Sequence, residues 1–324
     1  MQIISDYPIN SSIIQTLDQI LCDYSIAFSE KINSNSPRVI LTDSKQRTCR
    51  FCGKSYPQIT FNNIAHTPPE FTGNKKISSS YECDTCNIEY FSLFDNELAN
   101  FLLPFSTLSG KKGKKNKIPK YKQKGEPTIK KINDLISITN IDENRITKLG
   151  DNCLEMTIKL PTHIPEYIYR CLVKICLSYI PEDKLHIYEM TIRWLMNPNQ
   201  ESNMTPGMMF TIYPNNFQLN DISLILFELK DGCSKNIPHS IFCLSYNNYA
   251  FQTCIPYCSE EKLNVSLNAF PFIMPTAIDL NKNQEITKTI HVFDLSSKEK
   301  ESNKTVLLTI KGDQIIKDLK NTKR

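Results

Sequence analysis

Two pairs of cysteines constrain the fold of this 324-residue chain more than any other feature. Cys49 and Cys52 form the first CxxC pair. Cys83 and Cys86 form the second, and thirty residues separate the two pairs. A CxxC turn brings two thiolates to one ion, so two such turns predict a tetrahedral zinc site with Zn–S bonds of about 2.3 Å. Four cysteines leave no position for water, which makes the predicted zinc structural; the alternative is chance spacing among 12 cysteines.

The residues that follow Cys86 predict an amphipathic helix. Five apolar residues recur at steps of three and four: Ile88, Phe91, Phe94, Leu98 and Phe101. Pro104 ends this pattern, because the residue before a proline disfavours helical backbone. Asp84 stands where a carboxylate caps the N-terminus of a helix.

The segment between the cysteine pairs predicts two strands, within residues 54–71 and 75–82, joined by a turn around Gly73 and Asn74. His66 lies on the first of these strands. Its side chain is expected to point toward the first turn of the helix, where the side chain of Asn87 also points. Two strands followed by a helix form a ββα arrangement.

This segment resembles the HNH endonuclease family, in particular members with CxxC, then a strand ending in His-x-x-Pro-Glu, and then CxxCN. The matching residues are Cys49, Cys52, His66, Pro69, Glu70, Gly73, Asn74, Cys83, Cys86 and Asn87. The resemblance covers about 55 of the 324 residues. It implies a zinc-stapled ββα-metal (HNH, treble-clef-like) module, and the helices and strands predicted in the rest of the chain make the fold class α+β.

The family cuts DNA phosphodiester bonds with one divalent ion, which for this chain implies Mg²⁺ or Mn²⁺. The resemblance makes His66 the general base, and neutral imidazole can accept a proton from water at cellular pH. Asn87 takes the place of a family metal ligand. Glu70 and Asp95 are the nearest spare carboxylates, and a hard ion prefers such oxygen ligands.

Two departures from the family pattern concern the metal shell. Ala65 stands where the family commonly has Asp, Glu or His as a ligand. The central Asn that orients the histidine has only Asn74, or a serine among Ser78 to Ser80, as its counterpart. The ligands of the catalytic ion are therefore left open.

A lysine-rich tract follows the cysteine segment. Between residues 111 and 131 there are ten lysines and one acidic residue, Glu126, whereas the whole chain carries +4. Six of these lysines are candidate DNA contacts: Lys111, Lys112, Lys114, Lys115, Lys117 and Lys120. Lysines that neutralise phosphates bind nucleic acid without reading its sequence. The alternative is a solvated linker.

The predicted organisation has four parts: an N-terminal helix and strand extension (1–47), the cysteine module (48–105), a lysine-rich linker (106–131) and an α+β domain (132–324). The N-terminal helix is predicted from Ser11 to about Glu30. The last part predicts two helices that open with proline and a mainly antiparallel sheet. Its histidines and cysteines show no ligand spacing, so a ligand, a protein partner or a second copy is the expected partner of this domain.

Composition favours a cytoplasmic location. The sequence contains no run of about 18 apolar residues, the length that a bilayer-spanning helix requires. The first residues do not resemble a signal peptide. In a reducing compartment, cysteines at ligand spacing indicate metal binding and not disulfides.

Three functions compete at this point. The first is a zinc-stabilised HNH endonuclease, a class that often serves in bacterial defence or mobile elements. The second is a non-catalytic, zinc-dependent nucleic-acid-binding protein with a degenerate HNH site. The third is a signalling protein whose C-terminal domain dominates. Divalent-ion dependence and a ligand near His66 separate them.

Overall fold

β-Branched and aromatic runs form most of the strands of the protein, as their composition predicts. The computed structural model describes residues 5–7, 12–33, 35–113, 116–133, 135–150, 152–200, 206–214, 219–260, 274–280 and 288–312. The strands in these residues are β1 (Ser5–Tyr7), β2 (Tyr24–Ile32), β3 (Val39–Leu41), β4 (Ala65–His66), β5 (Ile77–Ser79), β6 (Thr128–Ile132), β7 (Leu135–Thr139), β8 (Ile146–Lys148), β9 (Cys153–Lys159), β10 (Gly207–Ile212), β11 (Leu219–Leu229), β12 (Ser240–Asn247), β13 (Tyr249–Cys254), β14 (Lys288–Asp294) and β15 (Thr305–Lys311). The α-helices are α1 (Ser12–Asp23), α2 (Ser92–Phe101), α3 (Leu103–Ser109), α4 (Pro165–Leu177), α5 (Glu189–Leu195) and α6 (Ala277–Leu280).

Seven strands form the large sheet, in the order β1-β14-β10-β13-β12-β11-β2. All neighbouring strands in it are antiparallel. The predicted α+β class with a mainly antiparallel sheet is therefore confirmed. The apolar and aromatic run of residues 264–274 also predicts a strand, but it falls almost wholly outside the described residues.

The N-terminal helix is shorter than the sequence predicts. Helix α1 ends at Asp23, and the next nine residues form β2, which pairs with β11 along its length. The helix does not continue past Asp23, because the backbone of residues 24–32 forms its hydrogen bonds with the partner strand β11. The N-terminal part of the chain thus completes an edge of the large sheet.

Helix α4 is the central helix. Every residue from Ile168 to Leu177 is buried, as expected of a helix that is covered on all sides. Pro165 occupies its first turn, as the sequence predicts. Tyr169 donates a hydrogen bond of 2.8 Å to the Cys254 carbonyl on the large sheet, while α2 packs against α4 from the side of the cysteine segment. Helix α4 therefore connects the sheet with the cysteines.

The cysteine segment has the predicted order of strand, strand and helix. Strand β4 pairs antiparallel with β5, and β3 adds to β5 in parallel. A π-helical turn, Cys86–Phe91, then leads directly into α2. Pro104 does not terminate helical structure here, because it occupies the first turn of α3, where a missing backbone N–H costs nothing.

Besides β3-β5-β4, two further small sheets are β15-β9-β8 and the hairpin β6-β7. The hairpin begins within the lysine-rich tract, whose Tyr121 is fully buried and donates a hydrogen bond of 2.6 Å to the Lys159 carbonyl. Part of the predicted linker is thus packed against the body of the protein. In the described residues, no helix combines the length and the apolar character needed to cross a membrane.

Candidate metal centre and adjoining histidine

The four cysteines of the two CxxC pairs converge. Their Sγ atoms all lie within 4.8 Å of one another. The Cys49 and Cys86 sulfurs are 3.8 Å apart, and those of Cys52 and Cys83 are 3.9 Å apart. Four sulfurs bound to one tetrahedral ion at about 2.3 Å are about 3.8 Å from each other. The cluster could therefore bind a metal ion such as zinc.

Two different backbone turns hold the cysteines. The first pair lies in a tight hairpin closed by a bridge between Thr48 and Ser55. Gly53 turns this hairpin in the left-handed region, with φ of 70°, and its N–H donates to the Cys49 carbonyl. Cys86 of the second pair begins the π-helical turn, and its N–H donates to the Cys83 sulfur at 3.4 Å. Such N–H groups stabilise a thiolate.

The thiols differ in acidity. The pKa of Cys49 is lowered to about 5, chiefly by the hydrogen bond between its sulfur and that of Cys86. Burial raises the pKa of Cys83 to about 12, and the hydrogen bond to Cys49 raises the pKa of Cys86. Four thiolates within one cluster repel each other, so a cation would be needed for all four to lose their protons together.

His66 lies on β4, opposite Ser78 of β5. One quarter of its side chain is exposed, and its Nε2 is 3.9 Å from Oε1 of Glu70. Its Nδ1 is buried and has no hydrogen-bond partner among the described residues. The Tyr179 hydroxyl donates to the Thr67 carbonyl at 2.6 Å and so fixes the residue after the histidine. The structure thus places an imidazole and a carboxylate together in a partly open loop.

Asp84 positions the chain that leads into β4, a role that the sequence does not indicate. Its carboxylate accepts hydrogen bonds from the backbone N–H groups of Asn62 and Asn63 and from the Thr60 hydroxyl. The predicted N-cap contact to its own helix is replaced by this loop. Asp84 therefore links the second cysteine pair to the approach to His66.

Asn74 and Asn87 occupy different environments. Asn74 is buried, and its amide bonds to four backbone groups of its own loop, including the carbonyls of Pro68 and Ile77. Asn74 therefore holds the loop and does not orient the imidazole. Asn87 is partly exposed at the start of the π-helical turn, and no hydrogen bond of its side chain to His66 occurs in the described residues.

Asp95 contacts α4 instead of the histidine loop. Its carboxylate accepts a hydrogen bond of 3.3 Å from the Cys171 thiol, and burial raises its pKa. The Lys174 ammonium adds a favourable charge and forms an ion pair of 3.1 Å with Glu82. Burial likewise raises the pKa of Glu82, to about 7. Lys174 thus balances two carboxylates beneath the cysteine cluster.

Replacing Lys174 by methionine is expected to lower the free energy of unfolding by about 3–5 kcal/mol, because it leaves buried acids without a counter-charge. Urea denaturation measures the change. Lys31→Met is the matched control: its ion pair with Asp221 is 2.9 Å long, but the lysine is 59% exposed. That variant is expected to lose less than about 1 kcal/mol. Equal losses in the two variants would contradict a role for Lys174 in fastening the cysteine segment to α4.

Arg50, between the first two cysteines, fastens the hairpin to the end of α4. Its guanidinium donates to the Leu177 and Ile180 carbonyls at 2.9 Å each and pairs with the buried carboxylate of Asp43. It also lies over the Tyr81 ring, 3.9 Å from the centroid. The cysteine cluster is therefore rigidly joined to the central helix.

The lysine-rich tract starts beside the histidine loop. The Lys111 side chain fills the space next to Gly73, where an added Cβ would approach its Cε to 2.4 Å. The Gly113 backbone packs on Phe71, and Lys75 reaches Asn116 at 3.5 Å. Lys112, Lys117 and Lys120 are exposed, whereas Lys111 is partly buried, which lowers its pKa; Lys114 and Lys115 lie outside the described residues.

No protein-family model, no curated protein and no solved structure matches this chain.

Proposed function

We propose that the chain is a zinc-stabilised, divalent-ion-dependent endonuclease of HNH type that hydrolyses DNA phosphodiester bonds with His66 as the general base. The observation that supports this function is the pairing of His66 with Glu70, 3.9 Å apart, in a loop against which the lysine-rich tract packs. The strand, strand and helix order of β4, β5 and α2, with the cysteine cluster at its base, supports a ββα-metal module.

The burial of Nδ1 favours Nε2, the other nitrogen of the His66 ring, as the proton acceptor. Because Nδ1 is out of contact with solvent, Nε2 is the atom that a water molecule can reach. Neutral imidazole at this position takes a proton from the attacking water. Glu70, on the same side, favours the imidazolium that forms, since an opposite charge stabilises it.

The Glu70 carboxylate near His66 is a ligand of the kind that a hard divalent ion such as Mg²⁺ or Mn²⁺ prefers. Such ions commonly use one or two carboxylates and complete their shell with water and phosphate oxygens. Glu70 would provide the carboxylate, and the Asn87 amide is the second candidate. When bound, the ion acts as a Lewis acid for the phosphate and the leaving oxygen. The four cysteines would hold zinc separately, as a closed structural site.

The test is cleavage of plasmid DNA by the purified, zinc-containing protein with Mg²⁺ or Mn²⁺. We expect nicked or linear products that require the added ion and vanish in the His66→Ala variant. Zinc content is determined on the same samples, so that a loss of folding is distinguished from a loss of the base. Cleavage that persists without a divalent ion would contradict the proposal.

The exposed lysines are expected to bind the phosphate backbone. Replacing Lys112, Lys117 and Lys120 together by glutamine should weaken DNA binding and reduce the slope of log K against log[salt] by about 0.9 for each lost phosphate contact. Fluorescence anisotropy over a range of salt concentrations measures this slope. Lys148→Gln combined with Lys300→Gln, two exposed lysines outside the tract, is the control. An equal change of slope in the control would mean that the tract is not the binding surface.

One observation favours a non-catalytic nucleic-acid-binding protein as the second candidate. Asp95 is engaged by α4, and Ala65 supplies no ligand, so among the described residues Glu70 is the one carboxylate that forms an ion pair with His66. In that case DNA binding would depend on salt and on zinc, and plasmid DNA would stay intact with every divalent ion.

A further inference from the structure

The hairpin β6-β7 has an inner face that packs on the body of the protein. Residues opposite each other in an antiparallel pair share a face, and the face changes with each step along a strand. Ile129 and its partner Ile138 lie on the inner face, where Ile129 is fully buried and Ile138 packs against the core. Lys131 shares this face and donates to the Ser109 carbonyl on α3 at 3.2 Å. The hairpin is therefore held in a fixed orientation.

Two exposed aliphatic side chains lie at the tip of the hairpin. Ile132 and Leu135 are partners at the last position before the turn, and they are 56% and 59% exposed. They belong to the outer face, one step along from the inner-facing Lys131. Asn133, in the turn, has φ of 53°, in the left-handed region that tight hairpin turns use. Water surrounds both aliphatic side chains in the free protein, so a partner that buries them gains binding free energy.

Exposed lysines share the outer face with the aliphatic tip. The buried Tyr121 is paired with Ile129 of β6. Its two neighbours in the chain, Lys120 and Lys122, therefore face outward, and both are exposed. Lys130, next to Ile129, is exposed on the same side. Loss of solvation and the charges of Lys130 and Lys122 lower the pKa of Lys120, as expected of ammonium groups that are close together. The outer face thus combines clustered positive charge with an aliphatic tip.

The single acidic residue of the lysine-rich tract does not neutralise this face. Glu126 is buried, and its carboxylate accepts a hydrogen bond of 2.8 Å from the Arg145 guanidinium and one of 3.2 Å from the Lys159 N–H. Its charge is therefore balanced by an arginine outside the tract. The tract itself offers no other acidic side chain to pair with its lysines, so the outer face is complementary to a polyanion.

One stretch of chain connects the hairpin with the loop that contains His66. The lysine-rich tract begins at Lys111, whose side chain lies beside Gly73, and it ends at Lys131 in β6. A nucleic acid presents phosphates along its whole length, so one molecule could contact both ends of the tract. A membrane surface would also attract lysines, but it would not bring a substrate to His66. The position of the charge therefore favours DNA as the partner.

Resting on the proposed nuclease function, we propose that the substrate is duplex DNA and that the hairpin β6-β7 enters its minor groove and kinks it. Lys120, Lys122 and Lys130 contact the phosphates, while Ile132 and Leu135 insert between two base pairs. Aliphatic side chains inserted in this way unstack one base step and bend the duplex. The loss of stacking is offset by the burial of the two side chains and by the phosphate contacts.

The test uses the lower cost of unstacking a mismatched base pair. Two short fluorescein-labelled duplexes are compared, one fully paired and one with a central T·T mismatch. The full-length, zinc-containing protein is titrated into each without added Mg²⁺ or Mn²⁺, so that the DNA stays intact, and binding is followed by fluorescence anisotropy. The wild type is expected to bind the mismatched duplex about tenfold more tightly than the paired one.

Three double variants identify the side chains that cause this preference. The Ile132→Ser/Leu135→Ser protein is expected to bind the two duplexes with equal affinity, and its melting temperature should change little because both residues are exposed. The Ile132→Leu/Leu135→Ile protein retains two aliphatic side chains and should keep the preference. The matched control is Ile26→Ser/Leu307→Ser, which removes aliphatic residues that are 49% and 39% exposed on β2 and β15. It should also keep the preference.

Equal affinity of the wild type for the two duplexes would overturn the proposal without any variant having to fold. A preference retained by the Ile132→Ser/Leu135→Ser protein would overturn it as well. Binding to phosphatidylglycerol vesicles that requires Ile132 and Leu135, without binding to either duplex, would assign the hairpin to a membrane surface and also overturn it. A mismatch preference that depends on both side chains, in a protein that leaves plasmid DNA intact with Mg²⁺ or Mn²⁺, would support the docking and contradict only the nuclease.

Discussion

The Cys83→Ser protein is expected to lose its zinc and to unfold the segment that carries His66. A structural zinc site contributes about 10–16 kcal/mol of folding free energy in small zinc domains, which is comparable to the whole stability of an average protein. Here the four sulfurs join the hairpin that contains Arg50 to the π-helical turn that precedes α2. The buried rings of Phe51 and Phe91 pack against each other, with centroids 4.7 Å apart. Without the ion, no bonds would connect the three remaining thiols to one another.

Zinc content and thermal unfolding measure this effect. We expect about one zinc per chain in the wild type, little in Cys83→Ser, and a melting temperature lower by more than about 10 °C. Limited proteolysis should then cut between residues 48 and 109 first. Cys22→Ser is the control, because Cys22 is an exposed cysteine outside the cluster. Full zinc content in the Cys83→Ser protein would exclude the four-cysteine site.

The convergence of the cysteines could be predicted because CxxC spacing fixes local geometry. Two thiols three residues apart reach one point in a tight turn or in the first turn of a helix, whatever the rest of the chain does. Strands β10 to β14 of the large sheet could be predicted for a similar reason, since they combine β-branched and aromatic residues with turn residues between them. Local pattern is sufficient for such features.

Features that depend on distant partners could not be predicted. Residues 24–32 become β2 because β11, about two hundred residues later, provides their hydrogen bonds. Asp95 has helical spacing that suits a ligand role, but Cys171 and Lys174 on α4 engage its carboxylate. A single sequence does not state which helix packs on which.

The contact between the Cys258 sulfur and Nδ1 of His239, which are 3.2 Å apart, could not be predicted for the same reason. The two residues have no ligand-like spacing, and each resembles an ordinary buried residue of the sheet. Only the antiparallel pairing of β12 with β13 brings the start of one strand to the end of the other, where Ser240 accepts from Ile255. A polar network then forms around Tyr188, which lies on neither strand.

The His66→Ala protein is expected to cleave plasmid DNA about 10²–10⁴-fold more slowly than the wild type, which is the usual contribution of a general base. Its zinc content and melting temperature should stay close to those of the wild type, because the side chain is partly exposed and its Nδ1 makes no hydrogen bond among the described residues. His186→Ala is the control: His186 is exposed, and its Nδ1 lies at hydrogen-bond distance from the Asp183 carbonyl.

The Glu70→Gln protein distinguishes the loss of an ion ligand from the loss of the general base. If Glu70 holds the divalent ion, its loss should weaken ion binding about 10–100-fold, and a higher Mg²⁺ or Mn²⁺ concentration should restore much of the cleavage. No ion concentration should restore cleavage in His66→Ala, because the missing group is the proton acceptor. Equal recovery of both variants at high Mg²⁺ would mean that His66 acts as an ion ligand and that another group takes the proton from water. Undiminished cleavage by folded His66→Ala protein would exclude His66 from the reaction altogether.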